Sequence, residues 1–155
     1  MPQLLAVCEN LGYSDAWTLG NSGNAVFDAV GSRTAIEHAM EDALESELGF
    51  EVTTFVRTAA EVGKALKASP FPVCEGDTYF ITFLKKPPST ATAKAFEAAS
   101  NDFDTLVVIG RDVHWRMRGK STETTLKTKT WKLVGDHSTS RNVNMLRRLA
   151  VKLDS

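Results

Sequence analysis

The stretch LGYSDAWTLGNSGNAVF, residues 11–27, decides the fold of this chain. It contains two short apolar runs, residues 16–19 and 25–29, which we predict to be strands. The NSGN sequence at residues 21–24 separates them, and Asn and Gly tolerate the positive φ angles that a tight hairpin turn requires. Because residues 2–12 show helical spacing of apolar side chains, the sequence predicts a domain that mixes helices with an antiparallel sheet.

Helices and strands alternate outward from this hairpin. Thr34 with Glu37, and Thr58 with Glu61, have the spacing of a capping box, in which a hydroxyl and a carboxylate satisfy free amides at a helix start. The further predicted helices cover residues 34–48, 58–69, 91–99, 124–134 and 141–153. The further predicted strands cover residues 52–57, 78–84, 105–109 and 113–117.

This order of elements predicts an α+β fold made of two ferredoxin-like halves with mostly antiparallel sheets. Residues 1–72 are predicted to form the first half with a connecting helix, and residues 73–155 the second half with basic C-terminal helices. The proline-flanked stretch from Ser69 to Gly76 is the best candidate for the joint between them.

The composition is typical of a globular domain. Of the 155 residues, 43% are hydrophobic and 24% are charged, which excludes a disordered or fibrous chain. No apolar run approaches the ~20 residues of a membrane span, and the residues after Met1 do not predict a signal peptide. Cys8 and Cys74 are too few for a disulfide framework or a zinc knuckle, so we expect a reducing, cytoplasmic location.

Charge is divided unevenly along the chain. Residues 1–110 carry 7 basic and 15 acidic side chains, a net charge of −8, whereas residues 111–155 carry 11 basic and 4 acidic ones, a net charge of +7. The basic segment suggests an anionic partner. The alternative is that the acidic and basic parts pack together and pair their charges.

Three stretches resemble the bacterial family called domain of unknown function 1697. Residues 11–27 are similar to its LGF–V–T–SGN–VF signature, residues 57–62 with the PFP at 70–72 are similar to its central segment, and residues 139–142 are similar to its TTRN motif. The resemblance spans almost the whole chain. It implies the tandem ferredoxin-like fold and no particular activity, because the function of the family is not established.

One difference from the family pattern concerns the start of the sequence. Members usually begin with a strand and an RGINVGG loop, whereas this sequence begins directly at the following helix. The resemblance therefore implies a first half that is truncated at its N-terminal strand and has an open sheet position. Since an unpaired strand edge invites pairing with another chain, we expect a homodimer.

No catalytic residue, metal site or cofactor is predicted. The Gly119-Lys120-Ser121 triplet resembles the end of a phosphate-binding P-loop, but His114 stands where that motif requires glycine. The three histidines lack metal-binding spacing, and neither cysteine has a histidine near it in sequence. The sequence therefore assigns no nucleophile or general base.

The turn residues Ser22, Gly23 and Asn24 have two interpretations. Their residue types are those that a tight hairpin demands, which gives them a structural role. A turn with exposed amides can also bind an anion or a carbonyl group, which would give them a role in binding.

The strand at residues 113–117 supplies the first candidate binding residues. Alternation places its apolar residues on one face and His114, Arg116 and Arg118 on the other, and Lys120 follows directly. A strand face with only basic side chains is unusual for a solvated strand. We therefore expect Arg116, Arg118 and Lys120 to contact an anionic ligand.

The second candidate site lies at the predicted start of the last helix. Its residues are Ser138, Thr139, Ser140, Arg141 and Asn142. Free amides at a helix N-terminus can bind an anion, and an anion would offset the unfavourable position of Arg141 at the positive end of the helix dipole. Arg148 and Lys152 are predicted near the same helix face. The alternative is a simple N-cap, which needs only one hydroxyl.

These residues predict a binding module for an anionic, phosphate-bearing ligand, either a nucleotide or a nucleic acid. Trp115 and Trp131 would stack on bases unless they lie in the core. One alternative is an enzyme acting on a phosphorylated small molecule, with Arg116, Arg118 and Arg141 stabilising charge. The other is a self-associating interaction protein without a ligand.

Overall fold

A computed structural model describes residues 2–19, 23–126, 128–134 and 137–153. The chain divides into two units, Met1–Arg57 and Thr58–Ser155. The first carries 2 basic and 9 acidic residues, a net charge of −7, and the second carries 16 basic and 10 acidic residues, a net charge of +6. The division between residues 72 and 73 expected from the sequence stays a prediction about domain organisation.

In its described residues the first unit contains two helices and one two-stranded sheet. In chain order its elements are α1 (Pro2–Asn10), β1 (Ser14–Leu19), β2 (Asn24–Asp28) and α2 (Arg33–Leu48). The two strands pair antiparallel, with Trp17 opposite Val26 and Leu19 opposite Asn24. The hairpin predicted from residues 11–27 is therefore confirmed.

The hairpin turn uses the backbone freedom that its sequence provides. Gly23 has a φ of 80°, in the left-handed region that glycine adopts without steric cost. The side-chain amide of Asn24 donates to the carbonyl oxygen of Leu19 at 3.3 Å. Gly23 and Asn24 thus serve the turn, while Ser22 lies outside the described residues.

Apolar side chains from α1 and α2 form the core of the first unit. The buried members are Leu4, Val7, Cys8, Met40 and Leu44. Partly buried apolar side chains pack against them, including Ala25 and Phe27 of β2 and Val52, which follows α2 in the sequence. Burial raises the pKa of the Cys8 thiol, so this cysteine is protonated at neutral pH and acts as a core residue.

The prediction that Thr34 and Glu37 form a capping box is wrong. Ser32 caps α2, and its Oγ accepts the amide of Ala35 at 3.1 Å. Glu37 is only 3% exposed, and its carboxylate accepts the amide of Val56 at 2.8 Å. Ser32 and Thr34 both have hydroxyls near the start of α2. Thr34 does not form the capping box because the Glu37 carboxylate bonds to the amide of Val56, which is distant in sequence.

The strand predicted at residues 52–57 does not form. A strand needs a neighbouring backbone, and the two strands of this unit pair with each other. Carboxylates supply acceptors instead, because the amide of Thr54 donates to Glu41 at 2.9 Å and that of Val56 donates to Glu37.

Replacing Glu37 with alanine should lower the free energy of unfolding by about 1–3 kcal/mol, because the Val56 amide would lose its acceptor. Urea unfolding followed by circular dichroism measures the loss. The matched control is Glu45→Ala, an exposed position on the same helix, which should change stability by less than about 0.5 kcal/mol. Equal effects of the two substitutions would contradict this account of residues 52–57.

The second unit is built on a four-stranded sheet. Its elements are α3 (Ala59–Ala68), β3 (Thr78–Leu84), α4 (Thr90–Glu97), β4 (Asp104–Ile109), β5 (Asp112–Met117), α5 (Thr128–Trp131), β6 (Ser138–Asn142) and α6 (Val143–Leu153). The strand order is β4-β5-β3-β6, and every neighbouring pair is antiparallel. This is the ferredoxin-like arrangement of a split βαβ motif. The predicted α+β fold with antiparallel sheets is confirmed.

Both faces of this sheet are covered. One face carries an apolar cluster with α4, whose buried members are Leu84, Phe96, Leu106, Val113, Trp115 and Met117. The other face carries the buried residues Tyr79, Ile81, His114 and Arg116. On that side α6 packs against β3, and α3 packs against α6. The capping box predicted at the start of α3, between Thr58 and Glu61, is confirmed.

The helix predicted at residues 124–134 is wrong in its first part. Residues 124–126, which follow a 3₁₀ turn at Ser121–Glu123, are not helical, whereas α5 and a 3₁₀ turn at Lys132–Val134 follow them. The Thr124 hydroxyl donates to the Asp104 carboxylate at 2.7 Å. Threonine favours such local or tertiary hydrogen bonds over the interior of a helix, which explains the difference.

Candidate anion-binding site

The basic side chains of β5 are largely inside the protein. The predicted alternation is confirmed, since Val113, Trp115 and Met117 lie in the apolar cluster. His114 and Arg116 lie on the opposite face, but they are 0% and 7% exposed. The face that the sequence suggested for an anionic ligand is therefore packed against other parts of the second unit.

His114 forms a buried pair with Tyr79. The Tyr79 hydroxyl and His114 Nδ1 are 2.5 Å apart, and Nε2 has no hydrogen-bond partner among the residues that the structure describes. Burial lowers the pKa of His114 to about 4. Burial also raises the pKa of Tyr79 to about 12, against the opposing influence of the Arg147 charge. Both rings are therefore neutral at pH 7.

Arg116 ties the segment before β3 to the sheet. Its guanidinium donates to the carbonyl oxygen of Pro72 at 2.9 Å and to the hydroxyl of Thr105 at 2.8 Å. It also lies over the ring of Phe71, 5.3 Å from the ring centre, where cation–π attraction stabilises the charge. These contacts give Arg116 a structural role inside the unit.

Arg118 and Lys120 follow β5 and are exposed. Arg118 forms an ion pair with Asp77 at 2.9 Å, and the same guanidinium lies 3.8 Å from the Cys74 sulfur. The Lys120 amide donates to the Glu123 carboxylate at 3.0 Å, which starts the following 3₁₀ turn. Of the two, Arg118 is already paired within the fold.

The prediction of a helix N-terminus at Arg141 is wrong. Ser138–Asn142 form β6, which pairs with β3, and α6 begins at Val143. The side-chain oxygen of Asn142 accepts the amide of Asn144 at 2.8 Å and so caps the helix. Arg141 therefore lies within a strand, and the helix-dipole argument for an anion beside it does not hold.

The β6 side chains alternate between the two faces of the sheet. The Ser140 hydroxyl bonds to that of Thr82 at 2.7 Å. The Arg141 guanidinium donates to the Thr139 hydroxyl at 2.6 Å and to the Ser140 carbonyl oxygen at 2.9 Å, and burial lowers its pKa. Of the residues predicted at the second candidate site, Thr139 and Arg141 are thus in side-chain contact.

The remaining predicted residues are spread over the sheet. Arg116 of β5 pairs with Tyr79, and Arg141 of β6 pairs with Ile81. The two arginines therefore lie on the two strands that flank β3. Arg118 follows the end of β5 that faces the start of β3, whereas Ser138 faces the end of β3. The structure does not gather these residues around one point.

A larger set of exposed cations lies on the two helices that cover the sheet. These side chains are Lys64 and Lys67 on α3 and Arg147, Arg148 and Lys152 on α6, and we call them the basic helix surface. Of these side chains, Arg148 was a predicted binding residue, and Lys152 was predicted near the same helix face. The lysines of α3 were missed because they precede the basic segment and share their helix with Glu61.

A buried carboxylate was also missed. Asp104 is fully buried and accepts the indole N–H of Trp115 at 2.8 Å and the hydroxyl of Thr124 at 2.7 Å. The Trp115 and Trp131 rings pack at 4.9 Å between centres, so both tryptophans belong to the core. No local motif marks Asp104, because its partners lie 11 and 20 residues away.

The described residues also bear on metal binding and on membrane crossing. Among the residues that the structure describes, no group of three His, Cys, Asp or Glu side chains is placed to hold a metal ion. None of the helices in the described ranges has the length and apolar character needed to cross a membrane.

The fold and its charged surfaces define an α+β protein with a ferredoxin-like second unit and a basic pair of helices. The chain belongs to the family of proteins of unknown function DUF1697, whose model matches residues 1–114. It is similar in structure to the conserved bacterial protein SP0830 from Streptococcus pneumoniae, with a TM-score of 0.72 and 16% identity, over 99% of this chain and 88% of that one. That likeness shows the fold alone. No curated protein matches the sequence.

Proposed function

We propose that the second unit binds a phosphate-bearing polyanion, a nucleic acid, through the basic helix surface. The observation that carries this proposal is the charge distribution on α6. This helix exposes Arg147, Arg148 and Lys152 and contains no acidic residue. It packs against α3, which exposes Lys64 and Lys67.

The anchoring of α6 supports the proposal. Val143, Leu146 and Leu149 are buried, so the opposite side of the helix is held toward solvent. Cations on a fixed helix lose less conformational freedom when they meet a phosphate backbone than cations on a loose tail. Several cations spread over two helices suit repeated phosphates better than a single phosphate group.

The opposite charges of the two units restrict where a polyanion can bind. The first unit has a net charge of −7 and repels phosphates, whereas the second has a net charge of +6. Within the second unit, Arg116, Arg118 and Arg141 already have internal partners. The proposed contacts therefore lie on the helices and not on the sheet. Among the binding residues predicted from the sequence, Arg148 is retained.

Replacing Arg147 and Arg148 together with glutamine should weaken binding of a single-stranded oligonucleotide about tenfold or more at low salt. The slope of log affinity against log salt concentration should fall by about 1.4, or roughly 0.7 for each lost phosphate contact. Fluorescence anisotropy with a labelled 20-nucleotide probe, repeated over a salt series, measures both values.

The matched control removes the same charge from another part of the second unit. Lys129 and Lys132 are exposed near α5, which lies on the side of the apolar cluster, and their glutamine variants should bind nearly as well as the unmodified protein. The proposal fails if both double variants weaken binding equally, or if the unmodified protein binds no oligonucleotide at low salt.

A further inference from the structure

The segment between α3 and β3 lies against the polar side chains of the four-stranded sheet. Residues 69–74 lie outside the helices and strands, and they contain the PFP sequence at residues 70–72. The ring of Phe71 packs edge-on against that of Tyr79, with 4.9 Å between centres, and it also contacts the Arg116 guanidinium. The Pro72 carbonyl oxygen accepts a hydrogen bond from the same guanidinium. We call residues 69–74 the strap.

Two buried nitrogen atoms on this side of the sheet have no hydrogen-bond partner among the described residues. They are Nε2 of His114, which is fully buried, and Nε of Arg116, which is 7% exposed. Because the two residues alternate along β5, their side chains stand on the same face, about 6.6 Å apart along the strand. Buried polar groups in folded proteins nearly always have a partner, so two unpaired ones side by side indicate that a bonding group belongs there.

The bond between Tyr79 and His114 determines which ring nitrogen carries the hydrogen. The Tyr79 hydroxyl is buried, and within the described residues its bonding partner is His114 Nδ1. Since the hydroxyl hydrogen needs an acceptor, Nδ1 accepts it, and the neutral imidazole carries its own hydrogen on Nε2. The Nε atom of an arginine always carries a hydrogen. Both unpaired atoms are therefore donors, and the group that they lack is an acceptor.

The charge of Arg116 has no carboxylate beside it in the described part of the chain. The contacts of its guanidinium are a carbonyl oxygen, a hydroxyl and an aromatic ring, all of them neutral. The ion pairs among the described residues join other side chains. The charge that acts on the neighbouring Tyr79 is also positive, that of Arg147 on α6. A buried cation is ordinarily paired with an anion, so the acceptor that suits this position carries a negative charge.

We propose that His114 and Arg116 bind the carboxylate group of a small molecule through these two N–H groups, on the sheet face beside the strap. A carboxylate has two acceptor oxygens for the two donors and one negative charge to offset that of Arg116. This inference does not depend on polyanion binding, which uses exposed side chains on α3 and α6.

The strap is the entry route for this ligand. It has no strand or helix hydrogen bonds of its own, and Pro72, Val73 and Cys74 within it are exposed. Ser69, its first residue, has a φ of 25°, a value that residues with a side chain rarely adopt. Strained backbone of this kind is found where a segment changes conformation, so the strap can move without disturbing the sheet below it.

Formate, the smallest carboxylate, is the probe. It replaces chloride at constant ionic strength and pH 7, where His114 is neutral. At a formate concentration ten times its dissociation constant, the folding equilibrium constant measured by urea unfolding should rise about tenfold over that in chloride. In nitrogen-15 NMR spectra of the unmodified protein, the Nε2–H signal of His114 should be present without formate and should shift as formate is added.

A double variant removes the His114 donor together with its partner. Tyr79→Phe with His114→Phe leaves aromatic rings at both positions and no unpaired hydroxyl, so the protein should remain folded. Formate should stabilise this variant no more than chloride does. The matched control is Lys64→Gln with Lys67→Gln, two exposed side chains of α3, which should keep the full response to formate.

Three results would overturn the proposal. The first is equal stabilisation of the double variant and the unmodified protein by formate, which would indicate a general solvent effect. The second is an Nε2–H signal of His114 that does not shift with formate, a measurement that does not require the variant to fold. The third is a crystal structure grown in formate with a water molecule, and no formate, against the two nitrogen atoms. None of these results involves an oligonucleotide, so failure of either proposal is recognised separately.

Discussion

At pH 4 the free energy of unfolding should be about 3 kcal/mol smaller than at pH 7 through His114 alone. Burial holds the pKa of His114 at about 4 in the folded protein, below its ordinary value of 6.5. Between these two values the unfolded chain binds a proton and the folded protein does not. The contribution of His114 to the free energy of unfolding is therefore fully present above about pH 6.5. It falls as the pH drops toward 4 and levels off below that.

Urea unfolding at several pH values between 7 and 4, on the protein and on His114→Gln, tests this expectation. Glutamine cannot titrate but can still bond to Tyr79, so the variant should lose much of the pH dependence. Tyr79, which bonds to His114, does not titrate in this range, because burial raises its pKa to about 12. Contributions from carboxylates cancel in the comparison. Identical pH dependence in the two proteins would show that His114 is not responsible.

Replacing Phe96 with alanine should lower the free energy of unfolding by about 3–5 kcal/mol. Phe96 is fully buried in the apolar cluster, and its ring lies 5.1 Å from that of Trp131. The substitution removes a large apolar surface and leaves a cavity between α4 and the sheet. Tryptophan fluorescence during urea unfolding reports the loss, because two of the three tryptophans lie in this cluster.

A matched substitution separates burial from mere loss of side-chain size. Leu133 belongs to the same unit and is 48% exposed, so Leu133→Ala should cost less than about 1 kcal/mol. A cost for Phe96→Ala as small as that for Leu133→Ala would mean that the cluster around α4 is not the core of the second unit.

Local chemistry predicted the hairpins and the strongest helix start. The turn at Gly23, the capping box of Thr58 with Glu61, and the apolar strand at 78–84 each depend on residues close together in the chain, and all three are present. Such features can be recognised without knowledge of the rest of the fold.

The two wrong strand assignments share one physical cause. Residues 52–57 have strand-forming side chains, but within the described residues no strand pairs with them. Ser138–Asn142 have the polar side chains of a helix cap but pair with β3. A strand is stabilised by its pairing partner. The partner of β6 is β3, and the paired residues Thr82 and Ser140 are 58 positions apart in the sequence. Local composition cannot report such a partner.

The candidate site shows the same limit for charge. Alternation correctly separated the faces of β5, but it could not tell a solvated arginine from one whose partners are the Pro72 carbonyl and the Phe71 ring. Conversely, Lys64 and Lys67 became part of a basic surface because α3 packs against α6. Net charge by segment therefore identified a basic unit, but it could not show that α3 packs against α6 and brings these lysines beside its arginines.

The central position of β3 has a consequence for synthesis on the ribosome. Its apolar sequence TYFITFL emerges well before β5, and its other partner, β6, emerges last of the strands. Until then this nascent segment exposes an uncharged, proline-free edge, the kind of segment that aggregates. Asp77 stands immediately before it, and Lys85, Lys86, Pro87 and Pro88 follow it. Flanking charges and prolines of this kind act as gatekeepers, and they protect the chain during the interval before its sheet can close.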